Sequence, residues 1–347
     1  MDFASDNGGP VHPSVFEALK AANDGYAMGY GNDPLTAEVT ARIRNLFEAP
    51  EAAVYFVGLG TAGNVLALST LVQPFETIFC TPMSHINVDE CNAPELYTGG
   101  AKLTLVPGTD VMTPEALRTS IEAEGNRGVH GPQRGAVSIT NVTEEGNVYT
   151  LEQIQALCDV AKDYDLPVHL DGARFANACV ALGCTPADMT WKRGVDVAVF
   201  GGTKNGLMGV EAVVFFDPKK AWEFELRRKR GAQLYSKHRY LAAQMQAYLE
   251  RDLWWDMAAQ ANATGSSLRA GLELAGFEVV NDSQANIVFF RATGAQHRAL
   301  KDAGAIYHIY GAEPQGDEGR AIGRLVCDWS MTQETVDRFL SLLEGLR

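Results

Sequence analysis

Two hydrophobic rhythms alternate along the chain. Short apolar runs rich in Val, Ile, Phe and Tyr recur, and the stretches between them place apolar residues at helical spacing. That alternation predicts an α/β fold in which a mostly parallel sheet is covered by helices. The runs 53–57, 77–80, 102–106, 136–141, 167–171, 195–200 and 210–216 predict seven strands. Some helices mark their own starts: Asp33 precedes a first-turn Pro34, and Thr150 with Gln153 offers a capping box. From 218 to about 275 the pattern turns helical and charge-rich, as a connector would. Beyond it, apolar runs at 277–280, 287–291, 306–310 and 322–329 alternate with helical stretches at 296–303 and from Gln333 onward. That second pattern predicts a small α+β unit, with 311–319 as a surface loop. The expected division is a large domain over 1–235, then connector helices and the small domain over 236–347.

A length of 347 residues exceeds the usual single core and agrees with two units sharing a cleft. Forty-three acidic against 29 basic side chains give a net charge of -14, which opposes a nucleic-acid backbone or an anionic membrane surface. The six cysteines show no Cys-x-x-Cys pair and no His stands at ligand spacing, so reduced, mostly buried thiols and no metal site are expected. The first ten residues contain no basic segment followed by an apolar run, and no apolar stretch is long enough to cross a bilayer. The cytoplasm is the expected compartment.

Ligands of open α/β sheets gather beyond the carboxyl ends of strands, so polar residues where apolar runs stop are the candidates for chemistry. Lys204 follows the run 195–200 and two glycines in Gly201-Gly202-Thr203-Lys204-Asn205. Partial desolvation there favours the neutral amine that condenses with an aldehyde cofactor, although a surface lysine in a turn fits the spacing as well. Asp171 ends the run 167–171 in Asp171-Gly172-Ala173-Arg174, where a carboxylate can keep a pyridine nitrogen protonated or simply cap the next helix. Gly58-Leu59-Gly60-Thr61-Ala62-Gly63 turns from a strand into a helix whose first amides suit a phosphate. Its glycines match the Gly-x-Gly-x-x-Gly spacing of nicotinamide enzymes, but no acidic residue ends the following strand at Phe79-Cys80-Thr81-Pro82, which argues against that reading. His85 stands just past the same strand among Asp89 and Glu90, placed either to stack on a flat ring and handle protons or to pair with an acidic neighbour.

In this order, the phosphate turn, the histidine, Asp-Gly-Ala-Arg and Gly-Gly-Thr-Lys-Asn together resemble the threonine aldolases of the fold-type-I pyridoxal-phosphate enzymes. Phe3-Ala4-Ser5-Asp6-Asn7, Tyr30-Gly31-Asn32-Asp33 and Arg324-Leu325-Val326 extend the resemblance over nearly the whole chain. It implies a fold-type-I architecture, with a seven-stranded large domain and a small C-terminal α+β domain. It further implies pyridoxal 5′-phosphate held as a Schiff base on Lys204 beside Thr203, with Asp171 on the pyridine nitrogen and His85 over the ring. Gly60, Thr61 and Ala62 would hold the phosphate. Arg174 would lie beside cofactor and substrate, while Arg324 and Ser5 would take the substrate carboxylate, for which a guanidinium fork is suited.

The implied reaction is retro-aldol cleavage of L-β-hydroxy-α-amino acids to glycine and an aldehyde. His85 is the leading base, with Glu90 or Glu144 behind it. Two departures bear on substrate preference: no histidine occurs in Asn141-Val142-Thr143-Glu144, and Asn32 replaces an aspartate of the usual Tyr-Gly-Asp-Asp. The alternatives are an aminotransferase or β-eliminating lyase with the same lysine and aspartate, and a binding protein that kept only the fold, against which the complete set Lys204, Asp171, His85 and Arg324 speaks. The family also implies a homotetramer with active sites at subunit contacts. There Tyr30 and the basic run Arg227 to Arg230 would serve a neighbour's site, or that run would be a solvated helix face.

Overall fold

The computed structural model describes residues 1–346. The seven apolar runs form one sheet from β1 (Ala53–Val57), β2 (Glu76–Cys80), β3 (Lys102–Leu105), β4 (Gln133–Thr140), β5 (Val168–Asp171), β6 (Val197–Gly201) and β7 (Glu211–Phe215), in the order β1-β7-β6-β5-β4-β2-β3. β7 runs antiparallel to both of its neighbours, and every other pairing is parallel. Every residue of β1, β5, β6 and β7 is buried, as strands covered on both faces require. The edge strand β3 is largely open.

One face of the sheet packs Phe47, Phe56, Phe175, Phe200 and Tyr248 into the larger core, and helix Arg239–Leu249 contributes Leu241, Ala242 and Met245 to it. The other face packs Val57, Ile78 and Val213 against helix Gly60–Leu71, which is buried beyond its first two residues. Sequence cues to helix starts are realised as hydrogen bonds: Asp33 Oδ1 accepts from Thr36 N at 2.8 Å, and Thr150 and Gln153 close a reciprocal capping box.

The small sheet joins β8 (Glu278–Val279), β9 (Ile287–Thr293), β10 (His308–Tyr310) and β11 (Arg320–Val326), in the antiparallel order β10-β11-β9-β8. Its core of Phe290, Leu325 and Phe339 also receives Leu268 and Leu272 from helix Leu253–Leu274 and Phe3 from the amino terminus. β10 is shorter than its apolar run because Ile306 leaves that ladder: it bridges to Asp2, and its carbonyl accepts from Phe3 N at 2.8 Å. β11 stops at Val326, before the turn in which Ser330 N donates to Asp328 Oδ1 at 2.6 Å. Through Val326 N to Phe3 O at 2.9 Å, the first residues are tied to β11 and delivered to the cleft.

Candidate active site

Because β7 reverses twice against its neighbours, β1, β2, β5 and β6 all end at the same edge of the sheet where β7 begins. At that edge lies a cavity of 210 Å³ lined by Asn7, Gly60, Thr61, Asn64, His85, Asp171, Ala173, Thr203, Lys204 and Glu211. Glycine makes the close approach possible. A Cβ on Gly172 would lie 2.1 Å from Val199 O, and one on Gly201 2.5 Å from Ala173 O, so the turns after β5 and β6 touch backbone to backbone.

Asp171 is held at both oxygens. Oδ1 accepts from Ala173 N at 3.0 Å and Oδ2 from Asn64 Nδ2 at 2.9 Å. Asn64 Nδ2 also donates to Glu90 Oε1 at 3.0 Å, and the same oxygen lies 2.8 Å from His85 Nδ1. Burial raises the Glu90 carboxyl above its ordinary value, against hydrogen bonds from His85 and Asn64 that lower it. Burial alone would depress His85, but the Glu90 hydrogen bond and the charges of Asp171 and Glu144 leave it raised. When Glu90 is ionised, Nδ1 of His85 is the donor, which leaves Nε2 to accept protons. On the same face of β5 as Asp171, His169 is buried and pushed down to about 4, hence neutral, with Nδ1 3.0 Å from Ser138 Oγ.

Lys204 sits in a short 3-10 turn after β6. Burial, then the positive charge of Arg174, lowers its amine below the usual lysine range, against the opposing charges of Asp6, Glu144 and Asp171. Its neighbour Asn205 anchors the turn, donating to Tyr248 OH and to Trp254 O at 2.8 Å each. Arg174 is buried and forms a fork on Asp6, Nε to Oδ2 at 2.6 Å and Nη2 to Oδ1 at 2.9 Å, while Asn286 Nδ2 adds 3.1 Å to Oδ2. Burial opposes ionisation of Asp6, yet Arg174 and Lys204 hold its carboxyl below the ordinary value. Arg324 reaches the carbonyl of Ala4 at 3.5 Å, and burial with the like charge of Arg174 lowers it. Two neighbouring guanidinium groups, only one of them in a close ion pair among the described residues, favour an anion nearby.

Six residues singled out in the sequence thus line one cavity: Gly60, Thr61, His85, Asp171, Thr203 and Lys204. Ala62 stands in the adjoining first helical turn, which no side chain caps. Arg174, Arg324 and Ser5 meet the amino-terminal segment beside it, where Ser5 Oγ accepts from Asn7 N at 3.1 Å. Of the basic run, Arg227 pairs with Glu223, Arg228 is buried over the Tyr55 ring and Lys229 lies over Tyr30. Asn64, Asp6 and Glu211 are site residues that sequence reasoning missed. Asp6 stood within the amino-terminal motif without a role of its own, and Glu211 left a signal as a single acid near the start of an apolar run.

Residues 2–294 match the family model described as beta-eliminating lyase. Over 97% of its length, and 95% of the relative's, the chain is 38% identical to the low specificity L-threonine aldolase of Pseudomonas sp. strain NCIMB 10558. The chain belongs to the threonine aldolase branch of the beta-eliminating lyase family. The corresponding enzyme of Pseudomonas aeruginosa is 37% identical over the same shares of both chains. The threonine aldolase of Leishmania major superposes with a TM-score of 0.92 at 27% identity, covering 99% of each chain. The family resemblance carried by the motifs therefore extends over the entire fold, including the small antiparallel sheet.

Proposed function

We propose that this chain cleaves L-threonine, L-allo-threonine and related L-β-hydroxy-α-amino acids, L-phenylserine included, to glycine and an aldehyde, using pyridoxal 5′-phosphate carried on Lys204. The observation that supports it most is the placement of a lysine with a depressed amine and a buried, fully held carboxylate in one cavity at the sheet edge. The residues fit such a group. Helix Gly60–Leu71 opens without a side-chain cap, and its free first amides suit a phosphate.

When bound, this cofactor supplies an electron sink for the pair released as the Cα–Cβ bond breaks. Lys204 anchors it through the amine. Asp171, fixed by Ala173 and Asn64, keeps a proton on the pyridine nitrogen. Arg324, with Arg174 and Ser5 beside it, orients the substrate carboxylate, which selects the Cα bond to be broken. His85 takes the β-hydroxyl proton at Nε2 while Glu90 holds Nδ1, and Glu144 stands behind as the next acceptor. The aldehyde leaves, and a proton returned to Cα completes glycine.

The relatives' names support the amino-acid substrate. The family model's description favours one second reading, β-elimination, which would release ammonia and a 2-oxo acid instead. Purified protein loaded with pyridoxal phosphate and given each substrate, with Lys204→Ala as control, separates the two. Glycine with the matching aldehyde, lost in the control, is expected; ammonia with a 2-oxo acid and no glycine would replace the reading.

A homotetramer with active sites at subunit contacts is part of the proposal. Exposed Tyr26, Met28, Tyr30 and Tyr235, with Leu59 at the cavity and Met208 after the Lys204 turn, support a covering partner. Light scattering of the purified protein checks the mass. No helix among the described residues is long and apolar enough to cross a membrane.

A further inference from the structure

Of the two acids that line the cavity, Asp171 has a part in the reaction and Glu211 has none. Glu211 is the first residue of β7, paired across the ladder with Gly201, and the antiparallel run of β7 brings it beneath the Gly201-to-Lys204 turn. Only 4% of it is exposed, yet it lines the same cavity as Lys204. Its Oε2 accepts from Gly202 N at 2.7 Å. The Thr203 hydroxyl accepts from Val210 N at 3.3 Å, which leaves its proton free, and that hydroxyl lowers the Glu211 carboxyl as a donor would. An acid so placed is anchored to the two residues that precede the reactive lysine. Packing alone would be served by an apolar side chain there, because burying a carboxyl without need is costly.

We propose that Glu211 is a positioning residue for Lys204: it fixes the turn that presents the amine and, as a buried counter-charge in the same cavity, joins the other acids there in favouring its ammonium form. The proposal rests on the reading of Lys204 as the cofactor-bearing residue. The groups facing Glu211 are Lys204 and Asp171 in the cavity, the Thr203 hydroxyl, and Tyr248, whose hydroxyl donates to Gly201 O at 2.9 Å. Those facing Lys204, besides Glu211 itself, are Arg174, Asp6, Glu144 and Asp171. Burial raises Glu211 to about 7, against the Thr203 and Gly202 hydrogen bonds and the charge of Lys204. Above that pH the carboxylate favours the ammonium form of Lys204. Below it the acid takes a proton and the amine loses that support.

The test is competitive acetylation of the cofactor-free protein across pH, with the Lys204 peptide followed by mass spectrometry, in wild type, Glu211→Gln, Glu211→Asp and Thr203→Val. Glutamine keeps an acceptor for Gly202 N but removes the charge. The expected result is a Lys204 midpoint about one pH unit lower, a tenfold gain in neutral amine at a given pH, in Glu211→Gln. Glu211→Asp should stay near wild type. Thr203→Val, which raises the acid by removing its hydroxyl donor, should shift the midpoint the same way by less. A Glu211→Gln midpoint within about 0.2 units of wild type overturns the proposal. If that variant does not fold, an unmoved Thr203→Val midpoint overturns it. Covalent pyridoxal phosphate uptake by wild type, trapped with borohydride, is scored separately: its absence would sink the cofactor reading while leaving the acetylation result to judge Glu211.

Discussion

Replacing Asp6 with asparagine should unfold this protein more readily than most single changes, and the structure supplies the size of the effect. The side chains of Arg174 and Asp6 are 3% and 1% exposed, and the fork between them is closed by two bonds at 2.6 and 2.9 Å. Asparagine has nearly the same shape, so no cavity forms. It deletes the carboxylate that forks Arg174 and turns one acceptor into a donor facing the guanidinium. Breaking one side of a buried pair costs about 3–5 kcal/mol. With an unfolding entropy of about 2.1 cal/mol/K per residue, 347 residues lose roughly 1.4 °C for each kcal/mol, a fall in Tm of about 4–7 °C.

The pH dependence has a definite sign. The Asp6 pKa is lowered below its ordinary 3.8, so its contribution is fully present above that value and is lost as pH falls through the folded pKa. The gap between wild type and Asp6→Asn should therefore be constant near neutrality and shrink in strong acid. Calorimetry from neutral pH downward reads both quantities. A neutral-pH loss under about 1 kcal/mol would show that the fork contributes little beyond its own desolvation. A double variant, Asp6→Leu with Arg174→Met, should recover stability without recovering activity.

Two further outcomes follow from the site. Glu90→Gln removes the hydrogen-bonding acid that raises His85, so the acidic limb of the kcat/KM profile, set by deprotonation of that histidine, should move to lower pH; an unmoved limb would take His85 out of the base role. Arg324→Ala removes a guanidinium that, among the described residues, hydrogen-bonds the Ala4 carbonyl alone and should raise KM about 10- to 100-fold, the loss of a charge-assisted contact of roughly 1.5–3 kcal/mol, with covalent cofactor uptake unchanged. Steady-state kinetics with L-threonine and the absorbance of the bound cofactor distinguish these effects.

Much of the site could be read in the chain because its signals are local. Asp171 ends an apolar strand and Lys204 follows one, Gly60 and Thr61 open a helix, and Asp33 and the Thr150–Gln153 pair cap their helices within three residues. Continuous apolar runs and capping geometry depend on near neighbours, so composition and spacing carry them. Other features are long-range. Asp6 finds Arg174 168 positions away, Asp171 accepts from Asn64 107 positions away, and Ile306 pairs with Asp2 instead of completing its own strand. No pattern of apolar and polar residues encodes such partners, because each is set by how separate elements are brought together.

Glu211 shows the division most sharply. The amino-acid order determined that an acid opens an apolar strand and that a lysine follows the strand before it. Whether that acid meets the lysine or faces the opposite edge of the sheet depends on the direction of β7. That direction is decided by its antiparallel pairing with both β1 and β6, a property of the assembled sheet.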